Sequence, residues 1–344
     1  MTAALHLVGS IPLQSTERVF REVSQRIGPY LKRLPDGETG ARAAWTAWQG
    51  KIVERVDGIV RTGVRDVQGI PYPTYGLRPG LSPEHIDFGN LGYADVAIAS
   101  WRDFARLRGE GVIGASQKFQ VSLPTPLAVI QAFFWGNPDL PVICATYERA
   151  LVAELARMLE AIPHGDFSLQ WDIAVEFHRI WEKPDSDLAR QFPSATLIET
   201  IARLSDYIPR VVELGWHFCY GDAGHKHFVE PHDTGLMVDI GNQLTAATTR
   251  DVTWLHFPVP RDRSDTGYFK PLAKLKRKRI AELYIGLIHL TDGLEGARRR
   301  IAAAREVISD FGLATECGFG RRPPDTILAL LDLHRGIAKG SIRG

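Results

Sequence analysis

The segment His217-Phe218-Cys219 places an imidazole and a thiol two residues apart. In an extended strand, residues i and i+2 point to the same face. A strand carrying this segment therefore aims both groups at one point. Cys317 and His256 each stand at the end of a short apolar run and can reach that point from neighbouring strands. Two thiolates and two imidazoles suit tetrahedral zinc. By residue type alone a second reading stands beside this one: His-x-Cys is a short motif, and a free cysteine is commonly a small buried hydrophobe. Cys144 has neither a histidine nor an acid next to it and reads as core.

Elements that would position these groups follow from the hydrophobic pattern. Short apolar runs alternate with amphipathic stretches along the chain. Strands are predicted at Leu5 to Gly9, Lys32 to Leu34, Phe119 to Leu123, Phe167 to Asp172, Trp216 to Tyr220, Val252 to Phe257, Leu283 to Leu290 and Leu313 to Cys317. Helices are predicted between them, including Ser15 to Leu31, Tyr147 to Ile162, Ser194 to Leu214, one near Gly235 to Thr248, one from Pro271 and Leu294 to Phe311. Eight strands alternating with helices predict an α/β fold, a (β/α)8 TIM barrel spanning 1–344 as a single domain. No Gly-x-Gly-x-x-Gly joins a strand to a helix, which argues against an open dinucleotide-binding sheet. Residues 40–116 exceed one βα unit and are rich in Gly, Pro and Tyr. They read as an insertion, a lid over the barrel mouth.

A barrel places its chemistry at the C-terminal ends of its strands. Those ends carry Gly9-Ser10, Asp36-Gly37-Glu38, Asp172 with Glu176 just beyond, His217 with Cys219, His256, His289 and Cys317. The loop after the fifth predicted strand, Gly221 to Asp233, is dense in acids and histidines. Within it Asp222 is the candidate to support the metal-ligating residues. His289 with Asp292 has the composition of a His–acid pair for proton transfer.

The chain as a whole limits the partners. Lys and Arg number 41 against 40 Asp and Glu, a formal charge of +1, which gives no pull toward nucleic acid or a membrane surface. No window approaches the ~18 uninterrupted apolar residues of a membrane span. Met1 to Ser10 lacks a basic start and reads as a strand, not a signal peptide. Three cysteines are no disulfide framework, and a cytoplasmic protein is expected.

The segments His217-Phe218-Cys219-Tyr220-Gly221 and Glu316-Cys317-Gly318-x-x-Arg321 resemble the zinc-binding strands of the cobalamin-independent methionine synthase family. Gly9-Ser10, Gly37-Glu38 and Gln170-Trp171-Asp172 resemble that family's opening Gly-Ser, its Gly-Glu loop and the acidic end of its fourth strand. The resemblance runs from Val8 to about Leu333 and matches the family's catalytic C-terminal barrel, so this chain resembles a single-barrel member. It implies a zinc-dependent methyl- or alkyltransferase that activates a homocysteine-like thiol as a zinc-bound thiolate. By the same likeness His217, Cys219 and Cys317 are metal ligands, and Ser10, Glu38, Asp172 and the nearby Glu176 bind the acceptor. Asp172, His289 and Asp222 are the candidates for proton handling. The partners implied are a small thiol and an alkyl donor (folate, corrinoid or other), with the oligomeric state left open. One departure stands out. Where the family places a glutamate ligand, Asp251 to His256 ends in a histidine. Zinc with two thiolates and two neutral imidazoles sums to zero charge, against minus one with a glutamate. Such a site holds a thiolate more tightly and leaves it less nucleophilic. Alternatives on the same barrel are a zinc-dependent hydrolase or decarboxylase acting through activated water, and a non-catalytic zinc barrel with four closed protein ligands.

Overall fold

A computed structural model describes residues 4–67, 70–221 and 227–340. Seven parallel strands form one curled sheet in the order β1-β4-β5-β6-β7-β8-β9. They are β1 (Arg33–Pro35), β4 (Lys118–Pro124), β5 (Phe167–Ile173), β6 (Glu213–Phe218), β7 (Val252–Pro258), β8 (Ile280–Ile288) and β9 (Gly312–Thr315). A separate antiparallel pair is made by β2 (Ile59–Val67) and β3 (Ile70–Leu77). The first predicted strand is too short to extend as a ladder, yet it closes the ring. Leu5 bridges in parallel to Leu31 on one side and to Leu313 on the other, and Ser10 bridges to Gly37. The chain is thus a TIM-barrel α/β fold.

Alternation along the strands sorts the core into two layers. Leu169, Trp171, Leu214, Trp216, Leu255 and Leu283 face the helices and join the main apolar core. Trp216 also donates its indole N–H to Ser205 on the helix Ser194–Asp206. The opposite faces of the same strands line the lumen. Their residues are largely polar, with Trp254, Tyr284 and Ala314 forming a small apolar plug of their own. A polar lumen is costly unless its groups are paired, so its contents say where the fold tolerates charge.

Residues 40–116 carry more order than a bare loop. They contain 3-10 turns at Gly40–Ala44 and Ala47–Gln49, the helix Gly50–Val53, the β2–β3 hairpin and the helix Tyr93–Gly109. That last helix takes its place in the outer ring. Glu154 of the helix Leu140–Ala161 accepts the backbone N–H groups of Leu91 and Ala94 at its N-terminus, and Arg106 bonds Glu17 of the helix Thr16–Ile27. Residues 40–92 precede this ring helix, and Val53, Tyr75, Phe88 and Leu91 among them join the main apolar core.

The helix expected from Pro271 does not form as one unit. Thr266–Phe269 is a four-residue helix, followed by 3-10 turns at Lys270–Lys274 and Arg277–Arg279. The basic run is held by carbonyls: Arg279 donates to Thr245 and Thr248, at the end of the helix Gly235–Ala247. Cations there satisfy terminal carbonyls and oppose the helix dipole. Among the described residues no helix is long and apolar enough to cross a membrane.

Candidate metal centre

His217 lies near the end of β6 and Cys219 one residue past it, where its N–H donates to the Ile173 carbonyl of β5. Cys317 follows β9 by two residues, held by the Thr315 hydroxyl donating to its carbonyl at 2.6 Å. Close approach of this last segment depends on glycines. A Cβ on Gly286 of β8 would lie 2.8 Å from Glu316 Cα and Thr315 O, and one on Gly318 would lie 2.4 Å from Ser10 Oγ. Ser10 accepts the Phe319 and Gly320 N–H groups, at its carbonyl and hydroxyl respectively. The Gly-Ser and Cys-Gly segments are thereby two sides of one joint.

His217, Cys219 and Cys317 offer ligand atoms that all lie within 4.8 Å of one another. The sulfurs of Cys219 and Cys317 are 3.8 Å apart, and Cys317 Sγ is 3.6 Å from His217 Nε2. With zinc–sulfur bonds of about 2.3 Å and zinc–nitrogen bonds of about 2.0 Å, a tetrahedral ion requires about 3.8 Å between sulfurs and about 3.5 Å from sulfur to nitrogen. The donor set fits zinc in type, and its two distances at Cys317 match the tetrahedral edges.

His256 does not join this cluster. Its Nδ1 is 2.7 Å from His217 Nδ1, and its Nε2 is 3.0 Å from the Thr315 carbonyl. Both nitrogens are thus occupied, and the residue stands behind His217. The reason is register: His217 and His256 are direct partners across β6 and β7, so their rings meet each other before reaching a common point. The contacts also set the tautomers. A carbonyl only accepts, so His256 Nε2 carries the proton. Burial pushes His256 down to about 3, and burial with the neighbouring His256 holds His217 well below the ordinary imidazole value, so both rings are neutral. His256 Nδ1 then accepts, His217 Nδ1 donates, and the His217 Nε2 lone pair faces the sulfurs, as a ligand must.

A cavity of about 60 Å³ opens against these three residues and is also lined by Ser10, Glu38 and Asp172. Glu38 sits at φ 47°, a left-handed conformation that a side chain rarely adopts. Asp36 steadies it by accepting its N–H at 2.9 Å, and Asp36 is itself fixed by Arg42 and the Ser100 hydroxyl. Trp45, on the same wall, is the other non-glycine residue with positive φ among those described. Such strain collects where function over-determines the backbone. Burial, followed by the charge of Asp172, pushes the Glu38 carboxyl up to about 8. Burial pushes Asp172 up to about 7 against a 2.9 Å bond from Gln170. The Glu38 and Asp172 carboxyls line one cavity with raised pKa values, so a cation brought there favours their ionised forms.

The other expected site residues lie elsewhere. Glu176 is buried with its carboxylate accepting from Thr125 at 2.5 Å, and it lines neither this cavity nor its neighbour. His289 is sealed between the Val259 carbonyl and Glu316, and Asp292 pairs with Arg300 rather than with it. Burial holds His289 down at about 3. Asp222 lies outside the described residues. Sequence reasoning missed His178, Trp45 and Phe228, which line the cavity. His178 comes from a π-helical turn, Glu176–Trp181, directly after β5. Wide turns of this kind gather at functional sites, but no residue pattern announced this one.

No family model matches this chain, and no curated protein sequence does. Solved structures resemble it in fold. One is a B12-independent methionine synthase from a Shewanella species in complex with selenomethionine, at 14% identity and a TM-score of 0.62, covering 100% of this chain and 98% of that one. Another is a methyltransferase from Methanosarcina mazei, at 12% identity and a TM-score of 0.53, covering 98% of this chain and 95% of that one. Over nearly its full length, then, the chain shares the fold of these two proteins.

Proposed function

We propose that this protein is a zinc-dependent methyl- or alkyltransferase acting on a small thiol with a homocysteine-like amino-acid end. The observation that carries this reading is the convergence of His217, Cys219 and Cys317, whose donor atoms lie within 4.8 Å of one another, with both edges at Cys317 of tetrahedral length and a cavity against all three. Three protein ligands and an open fourth position are the arrangement of catalytic zinc, whereas structural zinc is closed by four. The methyl-transferring neighbours are consistent with it.

Zinc, when bound, draws charge from an incoming thiol and lowers its pKa from about 8.5. The chain's own residues do the rest. Glu38 and Asp172 bind the ammonium end, and the Ser10 corner orients the remainder, so that sulfur faces the donor carbon. The sulfur electron pair forms the new S–C bond as the donor's C–X bond breaks and its pair leaves with X. Holding the partners in line supplies a large part of the rate. Residues 40–92, with Trp45 and Tyr72, cover the donor, whether folate, corrinoid or another alkyl carrier. A cytoplasmic location is part of this proposal.

The test is metal analysis joined to a homocysteine titration in weak buffer. The wild type should hold stoichiometric zinc and release a proton as the thiol binds. Cys317→Ser and His217→Ala should lose both. Thiol binding without proton release, or full transfer activity in the cysteine variant, would end the proposal.

A further inference from the structure

Beside the small thiol cavity lies a second of about 720 Å³, which shares Trp45, His178, Phe228 and Arg321 with it. Its lining includes four permanent cations, Arg65, Arg179, Lys183 and Arg321, against the single carboxylate of Asp66. Burial pushes His178 down to about 4, so it adds no charge. Arg65 comes from β2, and Arg179 from the π-helical turn after β5. Their guanidinium carbons lie 3.9 and 3.8 Å from the centroid of the Trp135 ring. Two groups that close to one centroid cannot share a face, so the indole is sandwiched between them.

A ring face attracts a cation but does not cancel its charge. Among the described residues neither arginine is ion-paired with a carboxylate, whereas Arg33, Arg42, Arg108 and Arg300 each are. Bringing like charges together under partial burial is unfavourable, and burial with the Arg65 charge lowers Arg179 to about 10. The fold bears this cost on the wall of a wide cavity beside the metal centre. The rest of the lining includes apolar and aromatic side chains, Trp45, Tyr72, Phe228 and Val175, with Tyr72 the cross-strand partner of Arg65.

We propose that this cavity binds the anionic end of the alkyl donor, a phosphate or carboxylate moiety of at least two negative charges gripped by Arg65, Arg179 and Lys183. Guanidinium pairs match such groups bidentately. The apolar wall holds the donor's body and directs its transferable carbon toward the sulfurs. The identity of the ligand as donor rests on the function proposed above; the anion site itself does not.

Calorimetric titration of the full-length protein with inorganic phosphate and with tricarballylate tests this at low salt. Saturable binding in the millimolar range or tighter is expected, weakening with added salt. The tighter of the two probes identifies the anion as phosphate or carboxylate. Arg179→Gln and Arg65→Gln should each weaken it by about tenfold or more, while Arg179→Lys, which keeps the charge, retains most of it. Lys278→Gln removes an exposed charge outside the cavity and should change nothing. Cys317→Ser should keep anion binding while losing metal, so failure of the thiol chemistry and failure of this site are told apart. Absence of saturable binding, or an equal loss in Lys278→Gln, overturns the proposal.

Discussion

The two ends of the barrel lumen both hold carboxylates and treat their charge in opposite ways. At the N-terminal end Arg33 is buried between Glu213 and Glu282, with Lys118 and Lys32 completing the pairs at 3.0 and 2.8 Å. Tyr284 donates to Glu282, and the Arg33 guanidinium lies over Trp254. Against the upward push of burial, the bonds and charge of Arg33 hold Glu282 down at about 2. At the mouth Glu38, half-buried, and Asp172, buried, line one cavity with their pKa values raised to about 8 and 7. The first arrangement satisfies every charge it buries and serves stability. The second leaves carboxyls whose charge is best met by something that arrives from outside. Only the mouth end also gathers sulfur and imidazole.

The comparison breaks most sharply at Arg33. Arg33→Met strips the partner from two carboxylates and should cost about 3 kcal/mol, a figure already reduced because Glu213 and Glu282 are partly exposed. The urea midpoint should fall while the folded protein keeps its zinc stoichiometry. Glu38→Gln and Asp172→Asn invert the pattern. Each should weaken homocysteine binding by roughly tenfold to a hundredfold, with metal content intact and unfolding stability unchanged or raised. A loss of stability as large as that of Arg33→Met would erase the distinction between the two ends.

His256→Ala removes the acceptor that fixes the His217 tautomer. Zinc affinity, measured by chelator competition, should drop by about tenfold, with the cysteines and the metal stoichiometry preserved at saturating zinc. Unchanged affinity would mean that His217 needs no support from behind.

The smallest effect, and the most diagnostic of sign, is the pH dependence of stability. Glu38 and Asp172 have folded pKa values above their ordinary ones, so the folded state holds protons that the unfolded chain releases. Their contribution is present below about pH 4 and is lost as pH rises through 7 to 8. Glu282 is depressed, so its contribution is present above about pH 4.5 and is lost as pH falls through 2. Glu38→Gln should therefore flatten the alkaline side of the stability profile, and Glu282→Gln the acid side. Homocysteine should bind more tightly as pH rises toward 8, because its ammonium needs ionised carboxylates.

Local pattern carried much of this protein. Alternating apolar runs predicted the parallel barrel because strand and helix periods are properties of neighbouring residues. The two-residue spacing of His217 and Cys219 sets them on one face for the same reason. Even the lining of the small cavity by Ser10, Glu38 and Asp172 follows from their places at strand ends. What the tertiary structure decided depends on distances between segments remote in sequence. The pairing of His217 with His256 directly across β6 and β7 sets His256 against the His217 ring, outside the cluster of His217, Cys219 and Cys317. Leu5 closes the ring through two single bridges that no run of residues foretells. The sandwich of Arg65, Trp135 and Arg179 joins a hairpin, an interhelical turn and a π-helical turn. Periodicity fixes which way a side chain points along its own strand or helix; only the register and packing of whole elements fix what it meets there.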